Sequence, residues 1–140
     1  MRAFVLGGLV AAGLVLTGGR MIAHHSFAAE FDSTKPITLK GTVTKVEWTN
    51  PHVWFYINVK DEKSGEVTNW GAEMGPPHGL QRRGWRRETL KIGEEITVGG
   101  SLAKNGTKRI NASRVTLTAT GGRPGETLDA ASSSAANPVD

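Results

Sequence analysis

The chain has 140 residues, with 17 basic against 13 acidic side chains, a formal charge of +4 and no cysteine. Without thiols it excludes a disulfide framework, a cysteine-linked lipid anchor and a thiolate metal site. Removing Arg2 and Arg20 with the leader described next leaves 15 basic against 13 acidic, or +2, so the basic character partly belongs to a discarded segment, and the export that the leader implies argues against nucleic acid as a partner.

Residues 1–23 read as a signal peptide. Arg2 supplies a positive start, and Ala3 to Leu16 is an apolar run of roughly 14 residues, too short to span a bilayer comfortably. That length disfavours the alternative of an uncleaved anchor. Two cleavage points fit: after Gly19, with small residues at both recognition positions, or after Ala23, with Met21 at the less suitable one. Either implies a periplasmic or secreted protein with no stable membrane anchor after cleavage.

Residues 24–36 form an N-terminal arm ending in Lys35-Pro36, which should enter the first strand extended. A β-domain follows over 37–118. Ile37, Leu39, Gly41 and Val43 alternate, then Val46 and Trp48 continue in the opposite phase. The slip near Thr44-Lys45 predicts a bulged, bent first strand. Thr49-Asn50-Pro51 is a turn. His52–Lys60 is a second strand, with Val53, Phe55, Ile57 and Val59 on one face and Trp54 and Tyr56 on the other. Glu66–Met74 is a third strand, and Leu80–Trp85 is a short helix after a Gly-Pro-Pro-His-Gly segment. A fourth strand runs from Glu95 to Gly99. Asn105-Gly106 marks a hairpin turn before a last strand, Ile110–Thr118, with Val115 and Leu117 in the core. Residues 119–140 are poor in apolar groups and read as a disordered tail.

Short strands with one short helix after the third predict an all-β fold. The favoured form is a small five- to six-stranded OB-like barrel, with a β-sandwich as the alternative.

Several segments carry a family resemblance: His24-His25-Ser26-Phe27-Ala28-Ala29-Glu30-Phe31-Asp32, Lys35-Pro36, Gly41-Thr42-Val43, Trp48-Thr49-Asn50-Pro51-His52 and Gly84-Trp85. Over roughly 24–118 the chain resembles a bacterial exported family of unknown function, with an N-terminal His-His-Ser-Phe motif and an Asn-Pro-His turn. The resemblance implies export and a small β-domain, and implies no activity.

Three constellations could carry chemistry. If cleavage follows Ala23, His24 offers an α-amine and an imidazole, and His25 a second ring. Such nitrogen donors suit copper(II) or zinc. If cleavage follows Gly19, the amine belongs to Arg20 and only a His-His pair remains. Strand parity places His52 near Glu73, Met74 and His78, a second candidate copper or zinc site. Against this, Asn-Pro is common turn chemistry and methionine is more often core than ligand.

The third is aromatic. Trp54 and Tyr56 share a face, with Trp48 and Trp70 expected beside them and Arg82, Arg83, Arg86 and Arg87 at the edge. That surface would suit a saccharide, a peptide or an envelope protein. The competing readings are rings filling the core and arginines on a solvated face. No nucleophile elbow, phosphate loop or paired acid–base carboxylates appear, so a non-enzymatic binding module is expected.

Overall fold

The computed structural model describes residues 27–119 and 125–131. The elements in order are α1 (Phe27–Glu30), β1 (Phe31–Glu47), β2 (Trp54–Lys60), β3 (Val67–Glu73), α2 (Pro77–Arg82), β4 (Glu95–Ala103), β5 (Arg109–Leu117) and β6 (Glu126–Asp129).

The protein is all-β. Its strands pair in the order β3-β2-β1-β4-β5-β6, and a short parallel contact between β3 and β5 closes the first five into an OB-like ring. That seam holds only three register pairs, Gly71 with Arg109, Ala72 with Ile110 and Glu73 with Asn111. The other neighbours are antiparallel.

Closure depends on the long first strand. β1 pairs with β4 from Phe31 to Thr42 and with β2 from Thr42 to Glu47, so one strand turns the corner between two parts of the sheet. Its register slips between Val43 and Lys45, the bulge expected from the change of phase. Gly41 sits where the bent strand crosses β2. A Cβ there would stand 2.6 Å from the carbonyl oxygen of Asn58, so any side chain would push the strands apart.

Side chains from every barrel strand fill the interior. Val43, Phe55, Ile57, Ile96, Val98, Ile110 and Val115 are essentially inaccessible, and Leu80 of α2 and Trp85 pack against them. The predicted inward row Val53, Phe55, Ile57 and Val59 is observed, with only Val59 partly exposed.

Three boundaries differ clearly from expectation. Residues 31–36 belong to β1, because a register irregularity between Asp32 and Pro36 lets the strand pass Pro36 and resume pairing. The helix lies at Pro77–Arg82 rather than 80–85. Proline at its start fits a position whose N–H needs no partner. β4 continues to Ala103 through a bulge at Gly99/Gly100.

The tail expectation for 119–140 fails at 125–131. β6 pairs with β5 from Arg114 opposite Asp129 to Leu117 opposite Glu126. Trp85 Nε1 donates to the Asp129 carbonyl at 2.7 Å, Arg83 Nη1 donates to the Ala131 carbonyl at 2.6 Å, and Leu128, Ala130 and Ala131 are buried. The unpaired edge of β5 supplies the main-chain partners that the weakly apolar composition did not disclose.

Candidate functional site

The pleat sends alternate residues of β2 and β3 away from the core. On that outer face the register sets Trp54 opposite Glu73 and Tyr56 opposite Gly71. The β3–β5 seam adds Arg109 beside Gly71 and Asn111 beside Glu73. His52 precedes β2 on the same face. The pairing is extended past the strand ends by hydrogen bonds from the Val53 amide to the Gly75 carbonyl (3.1 Å) and from the Met74 amide to the Val53 carbonyl (2.8 Å).

Gly71 makes the aromatic arrangement possible. A Cβ there would lie 3.3 Å from the Tyr56 ring and 3.6 Å from the Trp54 ring, so both rings rest over bare backbone. Cations cap them: the Arg109 guanidinium lies 5.5 Å from the Trp54 ring centroid and Lys45 Nζ lies 5.4 Å from that of Tyr56.

At the end of this face His52 Nδ1 and Glu73 Oε1 share a hydrogen bond. Glu73 is buried, and burial pushes its carboxyl above the usual range. The hydrogen bond and charge of His52 pull it back, the charge of Glu30 raises it, and that of Arg109 lowers it. Its register neighbour Asn111 is also buried, and Asn111 Oδ1 has no hydrogen-bond partner among the described residues. The hydrogen bond at Nδ1 leaves Nε2 as the second ring nitrogen of the half-exposed His52.

A cavity of about 220 Å³ lies beside the pair, walled by Trp54, Phe31, Glu30, Lys104 and Arg109 and floored by the Asn105–Thr107 turn. α1 forms its rim. It is tied to β4 by the Lys104 amide donating to the Glu30 carbonyl at 2.8 Å and by Lys104 Nζ donating to the Ala28 carbonyl.

A model of a family of unknown function, DUF6152, matches residues 12–112. The chain belongs to the DUF6152 family. The match takes in His24, His25 and every residue of the outer-face cluster, and ends within β5, before β6. No curated protein matches the chain.

Of the expected metal ligands in this DUF6152 protein, the structure brings His52 and Glu73 together and separates the others. Met74 follows Glu73 directly, so the pleat turns it to the opposite side, where it is fully buried in the core. His78 is exposed on α2, beside an open concavity of about 400 Å³ that it lines with Gln81, Arg82 and Arg86. His24 and His25 lie outside the described residues. Among those described, no three His, Asp or Glu side chains are grouped to hold a metal ion.

The aromatic expectation also needs correction. Trp54 and Tyr56 share the outer face, but Trp70 pairs with Ile57 and packs against the core, and Trp48 is buried there. The arginine cluster is not what caps the rings. Arg83 is engaged with the carbonyls of Gly79 and Ala131 and with Asp129, and Arg86 donates to the carbonyls of Gln81 and Trp85. The capping cations are Lys45 and Arg109, with Lys108 over Trp70 at 5.1 Å. Sequence reasoning missed Arg109, Lys104, Asn111 and Glu30. For Lys104 and Arg109 the visible signal was the stretch around a recognised hairpin, although the neighbour of Arg109 across the seam, Gly71, is 38 residues away in sequence; Glu30 was visible only as part of the His24–Asp32 motif.

Proposed function

We propose that this DUF6152 protein is an exported, non-enzymatic binding module that takes copper, or alternatively zinc, through histidines. His52 is the ligand from the barrel, and His24 and His25 supply the remaining nitrogen donors. The observation that carries this reading is the contact between His52 Nδ1 and the buried Glu73 carboxyl. A carboxylate on one ring nitrogen is the usual means of orienting a metal-binding histidine, with the other nitrogen as donor. In this reading Glu73 orients and His52 binds. One ligand from the barrel makes an incomplete metal shell, which is why the segment before α1 is needed. α1 starts at Phe27, its Glu30 shares the cavity wall with Trp54, and Trp54 is the register partner of Glu73. α1, where the described residues begin, therefore stands at the cavity next to Trp54. Cleavage after Ala23 would add the α-amine of His24, and the amine and imidazoles together favour copper(II) by the usual order of affinities.

Intact mass of the exported protein and a copper(II) titration test the reading. The mature chain is expected to begin at His24. His24→Ala and His52→Ala should each weaken copper binding by more than about tenfold, and Glu73→Gln by about 10–100-fold, as for other residues that orient a ligand. A chain beginning at Arg20, or equal affinity in wild type and His52→Ala, would sink it.

A second reading is favoured by the Trp54–Tyr56 ledge and its cations: a site for a small organic ligand of the cell envelope, with a peptide, a saccharide or a protein partner as the broader class.

A further inference from the structure

The geometry points to a binding site for a small, flat organic monocarboxylate in the cavity between α1, Trp54 and the β4–β5 turn. This deepens the second reading above and is independent of the metal, because His52 does not line the cavity.

Three observations select the ligand. The first is size. At about 220 Å³ the cavity falls below the ~300 Å³ lower bound for drug-sized ligands, so it suits a single ring with one substituent. The second is charge. Lys104 and Arg109 stand on either side of the Asn105–Thr107 turn and both line the cavity. The guanidinium of Arg109 can grip a carboxylate through two parallel N–H donors, and it stands over the Trp54 ring. Glu30 lines the same cavity, with its carbonyl bonded to the Lys104 amide, and Glu73 is the register partner of Trp54. These acidic groups oppose a second negative charge, so a monocarboxylate is favoured over a phosphate dianion. The third is the apolar side. Phe31, Ala29 and Ala103 face the same cavity as the Trp54 ring, giving a flat ligand body an apolar wall.

The sequence is suited to building such a place. Phe31 is buried as the first residue of β1, where it pairs with Ala103 and so fixes the cavity wall to β4. Phe27 stacks on Phe31 with ring centroids 5.9 Å apart, which holds α1 over the rim. The two cations follow from the strand ends. Lys104 directly follows Ala103, the last residue of β4, and Arg109 begins β5, so the hairpin sets them on the two sides of one turn.

The test uses the protein as isolated from its host, with chelator present to remove bound metal, and follows binding by calorimetry and Trp54 fluorescence. Benzoate is the probe. Acetate, benzyl alcohol, inorganic phosphate and the neutral disaccharide cellobiose are the comparisons. Saturable benzoate binding is expected, weaker binding of acetate and benzyl alcohol, and none of phosphate. Arg109→Gln should weaken benzoate by about tenfold, the usual loss for one charge-assisted contact, while His52→Ala should leave it unchanged. Benzyl alcohol binding as well as benzoate would overturn the inference, because the cations would then be idle. Phosphate binding more tightly than benzoate, or Arg109→Gln binding benzoate as wild type does, would overturn it equally. Cellobiose binding without benzoate would reject the monocarboxylate and keep the organic-ligand reading. No response to any probe would reject both.

Discussion

The two faces of the β2–β3 ribbon rest on one hydrogen-bonded backbone and differ in what they exclude. Inside, Val53, Phe55, Ile57, Ala72 and Met74 are shut off from solvent among other apolar groups. Outside, Trp54, Tyr56 and His52 are half-exposed, and the buried Glu73 has His52, Arg109 and Asn111 as neighbours. Glu73 and Met74 are adjacent in sequence and both buried, yet one is a carboxyl with a raised affinity for protons and the other fills the core. Burial by itself therefore does not separate a packing residue from a site residue. What separates them is the company on the same side of the pleat, and a polar group buried with other polar groups is the pattern that marks a candidate site.

Mutations can break this contrast. The largest effects belong to the inner face. Phe55→Ala should cost about 3–5 kcal/mol and Met74→Ala about 2–5 kcal/mol in urea denaturation, since each leaves a cavity in a packed core. Losses below about 1 kcal/mol would show that the inner face is not close-packed. Trp85→Phe comes next, at about 0.5–1.5 kcal/mol, because it removes the donor to the Asp129 carbonyl while keeping most of the ring volume. Hydrogen exchange in β6 should rise with it, and unchanged protection would mean that Trp85 does not hold that strand.

On the outer face the effects are smaller. Tyr56→Phe should cost less than about 1 kcal/mol, because its bond to Glu47 (3.1 Å) lies on a half-exposed surface where such contacts contribute little. Glu73→Gln sharpens the comparison through pH instead. The carboxyl binds its proton more tightly folded than unfolded, above the ordinary value of 4.5. Its favourable contribution is thus complete below that value and is lost as pH rises through the folded one. Glu73→Gln should remove this decline, so stability of the variant relative to wild type should improve from acid toward neutral pH. A flat difference across that range in urea melts would show that burial does not govern Glu73.

Much of the barrel could be read from the residues. The phase slip before Val46 marked the bulge between Val43 and Lys45, alternation from Val53 to Val59 marked the inner row, and Asn105-Gly106 marked the β4–β5 turn, where Gly106 takes a positive φ of 75°. The meeting of His52 and Glu73 followed from strand parity alone. Trp70 did not, because its side depends on register: opposite Ile57 it turns inward, and a slip of one residue would have turned it out beside Trp54. β6 escaped because a four-residue strand leaves little trace in a segment of glycine, serine and alanine. Arg109 and Asn111 escaped because they join the site across a parallel seam between distant strands.

Local sequence thus determined what short-range rules control: which strands alternate, where the first one bends, where the chain turns and which residues lie on one side of a strand. Only the tertiary structure decided which sides meet. The three-pair β3–β5 seam brought Arg109 to Trp54 and Asn111 to Glu73, and β1 brought Phe31 and α1 over the same face. The reason is physical. Side-chain alternation is a property of each strand and appears in its own residues. Ring closure and register are set by the packing of the whole barrel, where a shift of one residue exchanges a core face for a binding face.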